Sequence, residues 1–213
     1  MKKNLCFSFL CFAQCAFAQK SYLGVNAGIN VANQRIVTHL TLNGAPVLDG
    51  TGFQTNKTQA AFGIFYHFLL SDATGIQVNA QFMGLGYKSN GNSGSDVEVN
   101  YLTFPITFHY QANKHFSLNT GPYISFTLGG TKINNQDITK SYHKNDFGFS
   151  FGGEHDLWKN FALGINYFIG LKNIWLNDVV AIPIQPGLNA SYKYTNRALQ
   201  FILIYKFKKK IKL

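Results

Sequence analysis

Cysteine is confined to the first fifteen residues of this 213-residue chain, at Cys6, Cys11 and Cys15. Everything beyond them is without disulfide staples, thiol nucleophiles or thiolate metal ligands. Charge is scarce too, at 13% of residues, about half the share usual in soluble domains. Long apolar runs are missing: after residue 18 no stretch reaches the roughly 20 residues that a membrane-crossing helix needs. What is abundant is aromatic side chain, 15% of the sequence. An exported chain with few charges, many aromatics and no helical span has one structure left with which to cross a bilayer, a closed sheet.

Export is written at the N-terminus. Lys2 and Lys3 precede the apolar stretch from Leu5 to Ala13, and Ala16-Phe17-Ala18 puts small residues at the two positions a signal peptidase reads. That is the pattern of a secretory signal peptide, with cleavage expected after Ala18. Cys11 follows Leu10 and Cys15 follows Gln14, so neither has the setting of a lipid-modified cysteine. The expected organisation is a signal peptide at 1–18, a barrel at 19–207 and a basic tail at 208–213. Removing Lys2 and Lys3 lowers the net charge from +10 to +8. Part of the remainder sits in Lys206, Lys208, Lys209, Lys210 and Lys212, which suits contact with anionic lipid headgroups. A route out of the cytoplasm argues against nucleic acid as a partner.

Eight segments alternate apolar and polar residues with a period of two: 22–33, 58–70, 74–88, 97–111, 116–128, 146–157, 161–173 and 196–207. In the first, Leu23, Val25, Ala27, Ile29 and Val31 oppose Gly24, Asn26, Gly28 and Asn30. In the seventh, Phe161, Leu163, Ile165, Tyr167, Ile169 and Leu171 oppose Ala162, Gly164, Asn166, Gly170 and Lys172. The second is aromatic on both faces, and its register is the least defined. Connections alternate between short (71–73, 112–115, 158–160) and longer (34–57, 89–96, 129–145, 174–195). Outer-membrane barrels alternate short periplasmic turns with longer outer loops in this way. The fold predicted is all-β: an eight-stranded antiparallel up-and-down transmembrane β-barrel in the outer membrane, with apolar rows on lipid and polar rows filling the lumen. Tyr22, Phe68, Tyr110, Phe116, Trp158, Phe161 and Phe207 are expected as an aromatic belt at the periplasmic rim. Tyr87, Tyr101, Phe126, Phe147 and Trp175 are expected at the outer rim. Pro105 and Pro122 fall inside strands, where bulges are expected.

The run Tyr101-Leu-Thr-Phe-Pro105-Ile-Thr-Phe-His-Tyr110 and the following Leu118-Asn-Thr-Gly121-Pro122-Tyr123 resemble the PorT-type outer-membrane β-barrel family of Bacteroidota. So do Gly24-Val-Asn-Ala-Gly28-Ile-Asn, Asp146-Phe-Gly148 and the closing Tyr205-Lys-Phe207. The resemblance covers nearly the whole mature chain and implies an eight-stranded barrel. It carries no particular activity, and the type IX secretion role of PorT itself is not transferred. One departure is that the chain continues past Phe207 through Lys208 to Leu213, whereas barrel assembly signals usually end on an aromatic residue.

No constellation carries clear chemistry. His115 and Ser117, two residues apart, resemble the His–Ser pair of lipid A deacylases, but no orienting acid follows and the periplasmic turn is the wrong side for lipid A. Glu154 and Asp156 share an inward face, with Asp146 farther up; they read as partners of a lumenal cation, Lys172 being the candidate, rather than as an acid–base pair. His39, His67, His109, His143 and His155 lack metal spacing, and no metal or cofactor is expected. Lys132, Lys140, His143 and Lys144 give one outer loop a basic cast suited to acidic glycans or lipopolysaccharide phosphates, though a loop that is merely solvated has the same composition.

The leading expectation is thus a non-enzymatic barrel of structural or surface-interaction type, a monomer whose lumen passes no large solute. The alternatives are a small pore or a transport- or secretion-associated component, a lipid A-modifying enzyme, and a soluble lipocalin-type barrel. The last would need its polar rows to face water, and they carry too little charge for that.

Overall fold

The computed structural model describes residues 21–88, 96–133, 136–137, 139–176, 179–181 and 187–207. The expected signal peptide and the basic tail from Lys208 onward lie outside them. The strands are β1 (Tyr22–Leu42), β2 (Ala45–Phe53), β3 (Lys57–Leu69), β4 (Thr74–Lys88), β5 (Asp96–Gln111), β6 (Phe116–Thr127), β7 (Lys132–Ile133), β8 (Gln136–Asp137), β9 (Asn145–Trp158), β10 (Phe161–Gly170), β11 (Val179–Ala181) and β12 (Leu188–Phe207). Each wall strand pairs antiparallel with its neighbours in the order β1, β3, β4, β5, β6, β9, β10, β12, and β12 pairs back with β1. The ring of eight is closed, so no backbone edge is left in the hydrocarbon.

The outward rows are those read from the sequence. Leu23, Val25 and Ile29 on β1, Phe147, Phe149 and Phe151 on β9, and Leu163 and Ile165 on β10 are all exposed. An apolar surface this continuous far exceeds the few hundred Å² that a soluble monomer leaves open; the solvent it meets is lipid. Inward, Asn26, Asn30, Gln77, Asn79, Gln81, Asn119, Ser150 and Gln200 are buried. Short turns close the periplasmic end. In one of them Asn113 Oδ1 accepts from the backbone of His115 and Phe116, both at 2.9 Å, forming an Asx turn.

Two features differ from the sequence reading. The expected loop at 34–57 is largely strand, and within that expected at 174–195 the residues 179–181 and 188–195 are strand. β1 runs on to Leu42 and β12 begins at Leu188, and the two pair without interruption from Leu23↔Phe207 to Leu42↔Leu188. β2 and β11 pair on either side of their outer halves, making a four-stranded ribbon beyond the barrel wall. The segment 34–57 escaped because its alternation mixes Arg, His and Thr with Ile, Val and Leu, as a two-sided strand in water does.

The prolines also behave otherwise than expected, for neither sits in a bulge. Pairing of β4 with β5 skips from Val78↔Ile106 to Gln81↔Thr103, and that of β5 with β6 from Pro105↔Tyr123 to Phe108↔Thr120. Each proline removes one donor from one ladder, but the rows on both sides hold the register and no extra residue is inserted. The register shifts lie instead at Phe161/Ala162 and at Leu40/Thr41.

Closure at β1–β12 depends on Gly28, where a Cβ would lie 1.9 Å from the Phe201 carbonyl oxygen. Gly28→Val is expected to lower stability by about 3 kcal/mol through backbone overpacking. Gly50→Val, on β2 with nothing within 4 Å of its Cβ position, should stay within about 0.5 kcal/mol. Urea midpoints of the unboiled, fast-migrating gel band measure both.

Candidate functional site

The barrel interior has three layers. At the periplasmic end Lys206 Nζ lies 2.7 Å from Asp156 Oδ1 and 3.2 Å from Glu154 Oε2, and His109 Nδ1 lies 4.0 Å from Glu154 Oε1. Thr107 bonds His109 Nε2 at 3.0 Å, the His67 ring packs edge-on to His109 at 4.9 Å, and Tyr22 stacks on His67 at 4.8 Å. Burial makes this pairing obligatory, because an uncompensated charge here would cost several kcal/mol. The two carboxylates share an inward face as the alternation on β9 implies. Their cation is Lys206, not Lys172, whose Nζ instead donates to Asn145 Oδ1. Lys206 is therefore no part of a headgroup-binding tail. Its position in the inward row of β12, with Gln200, Ile202 and Ile204, was the available signal.

The middle layer is amide and hydroxyl. Gln77 donates to Asn79 at 3.1 Å, Thr103 bonds Ser125 at 2.9 Å, and Asn166 donates to Gln200 at 3.1 Å. Among them is a cavity of about 20 Å³, room for about one water.

The outer layer is apolar. Met83, Leu85 and Tyr87 of β4, Val97, Val99 and Tyr101 of β5, Tyr123 of β6 and Phe168 of β10 form one buried cluster. Tyr142 and Ile174, from the outer connections, close it from above. Tyr87 and Tyr101 thus point into the barrel instead of belonging to an outer belt. Tyr22 likewise turns inward, and Trp175 packs on the cap between Tyr142 and Tyr194, at 5.0 and 5.6 Å. Phe126 and Phe147, and at the other rim Tyr110, Phe116, Trp158 and Phe207, do face outward. The cause is an inversion of phase. In the bilayer the outward row is apolar; above it the outward row turns polar (Glu98 and Asn100 on β5) while the inward row turns apolar. Beneath the cluster Asn196 Nδ2 donates to the buried Asp146 carboxylate at 2.9 Å. Burial raises the Tyr142 phenol above its ordinary value, so it stays a neutral hydroxyl.

Elsewhere the candidates mostly separate, although the exposed His115 and His155 rings approach to 6.3 Å. His115 is exposed in its turn while Ser117 is buried. His155 faces outward, and His143 lies in the cap with its backbone N donating to Ile174 at 2.9 Å. His39 pairs with Asp49 at 2.7 Å across β1 and β2. His67 and His109 meet, which their spacing gave no hint of. Among the described residues no group of three or more His, Cys, Asp or Glu could hold a metal ion. Lys132, Lys140 and Lys144 are exposed on the outer connection, beside the cap. Lys57 is drawn between Glu98 at 3.0 Å and Asp96 at 3.6 Å.

A closed eight-stranded sheet with an apolar outer band defines a membrane-spanning barrel. The chain belongs to the family described as outer membrane protein beta-barrel domain, which it matches over residues 5–207; it is an outer-membrane protein in contact with the lipid bilayer. Among solved structures it is similar to Neisserial surface protein A (11% identity, TM-score 0.45, covering 85% of this chain and 99% of that one). It is also similar to OprG of Pseudomonas aeruginosa (11%, 0.44, 88% and 97%) and outer membrane protein W of E. coli (17%, 0.40, 89% and 99%). No curated protein matches it in sequence.

Lys206→Met leaves the buried Glu154 and the half-buried Asp156 without a cation and is expected to cost about 3 kcal/mol. Adding Glu154→Gln should restore part of that loss. Urea midpoints of the single and double variants measure the difference; equal midpoints for Lys206→Met and the native chain would refute the pairing.

Proposed function

We propose that this protein is a non-enzymatic outer-membrane barrel that acts at the cell surface, its ribbon and basic outer loop meeting acidic glycans or the phosphates of lipopolysaccharide. One observation carries the reading: among the described residues an apolar cluster stoppers the lumen above its polar layers, while β1 and β12 continue outward as the core of a four-stranded sheet. A rigid platform for loops is what recognition uses. Arg35 and Lys193 share the outward face of that ribbon, and Lys132, Lys140 and Lys144 lie on the neighbouring connection, which the Tyr142–Trp175–Tyr194 stack ties to β12.

Catalysis finds no support, since His115 and Ser117 face different surroundings and the Glu154 carboxylate adjoins space for about one water. A pore reading is weakened by the same packing. The motifs quoted above favour a PorT-type barrel of Bacteroidota, processed after Ala18, with 19–207 as the barrel, 208–213 as a periplasmic tail, and one copy as the working unit.

Purified protein in planar bilayers is expected to stay silent; steady discrete currents would defeat the closed-lumen reading. Replacing Lys132, Lys140 and Lys144 together by Glu should weaken binding to immobilised lipopolysaccharide about tenfold at low salt. Unchanged binding by that triple variant would remove the loop from the proposal.

A further inference from the structure

The outer wall is not evenly convex. Along β1 the outward row runs Leu23, Val25, Ala27, Ile29, and Ala27 is its one small member. Its cross-strand neighbours are Phe62 on β3 and Leu203 on β12; those of Val25 are Ile64 and Tyr205. The result is a groove of about 430 Å³ floored by Ala27 and walled by Phe62, Ile64, Phe161, Leu203 and Tyr205, a volume within the range of small-molecule sites. It lies in the lipid-facing band of the ring, so its surroundings are the membrane.

We infer that this groove binds one anionic phospholipid of the periplasmic leaflet, with an acyl chain laid over Ala27 and the phosphate at Lys159. The groove crosses four neighbouring strands obliquely, from Phe161 on β10 over β12 and β1 to Phe62 on β3, and its walls are apolar, which matches a flexible hydrocarbon chain. The convex wall of a second barrel would rest on the rims at Phe62 and Leu203 and leave the floor empty. The periplasmic mouth is built. Tyr205 packs its ring on Phe161 at 4.9 Å, its hydroxyl accepts from Asn160 Nδ2 at 3.3 Å, and Lys206 N donates to the Asn160 carbonyl at 2.7 Å. These contacts fix the two-residue turn 159–160 beside the groove, and Lys159 is exposed there. A cation held at headgroup level next to an acyl-sized channel is complementary in charge to a lipid phosphate. Among the described residues the other turn cation at that end is Lys114, of the β5–β6 hairpin across the ring.

The test is native mass spectrometry of the full chain released from nanodiscs of three parts phosphatidylethanolamine to one part phosphatidylglycerol. The expected spectrum has one retained phospholipid per protein, enriched in phosphatidylglycerol over the bulk ratio. Ala27→Phe fills the floor and should cut the retained fraction about tenfold, by displacing buried methylenes. Thr120→Phe, outward on β6 across the ring from the groove, should leave it unchanged. Ala27→Leu serves where the larger ring prevents closure, which the heat-shifted gel band reveals. Lys159→Glu should keep a retained lipid but abolish the preference for phosphatidylglycerol. Equal lipid retention by the native chain and both Ala27 variants overturns the site. A twofold-mass species that disappears in Ala27→Phe also overturns it, by showing that a second copy occupies the groove.

Discussion

Every peptide group of this chain that lies in hydrocarbon must find its partner within the chain, and that single requirement organises the rest. It forces the sheet to close, which makes the β1–β12 seam the decisive contact. The seam is tight enough that Gly28 faces the Phe201 carbonyl with no room for a side chain. It also sets the tolerance for irregularity. Pro105 and Pro122 each remove a donor, and the rows that go unpaired flank β5 on both sides. The barrel absorbs them because long, regular ladders run above and below.

A second constraint is the medium outside the wall. Within lipid the outward row must be apolar and the inward row carries the amides, hydroxyls and the Lys206 ion pairs. Beyond the bilayer the same strands meet water and the requirement reverses. Met83, Leu85, Val97, Val99 and Tyr101 then become an interior like that of a soluble barrel. One continuous wall therefore encloses two kinds of core, and the apolar one forms a stopper over the polar one.

How far the sequence reached follows from this. The eight wall strands were legible because lipid on one side and packed polar groups on the other give the cleanest possible alternation; 74–88 coincides with β4 and 58–70 falls one residue from β3 at each end. The outer halves of β1 and β12 were not legible, since a ribbon with water near both faces has no strict pattern. The belt assignment of Tyr87 and Tyr101 failed because aromatic residues near a strand end suit a membrane rim and an interior equally, and only the phase of the row separates the two. The carboxylate pair on β9 followed from spacing within one strand. Its cation did not, because Glu154 and Lys206 lie on strands that do not follow one another in sequence.

The uninterrupted pairing of β1 with β12 also has a bearing on assembly. Its partners, from Leu23↔Phe207 to Leu42↔Leu188, stand at opposite ends of the chain. Such non-local pairing brings together segments whose encounter is entropically the most expensive, and folding governed by it is slow. Until β12 has emerged, β1 presents a bare hydrogen-bonding edge of the kind that recruits foreign strands. The protein must therefore be shielded throughout its passage to the membrane, and its final step is a zippering that either completes the cylinder or leaves nothing that can stay inserted.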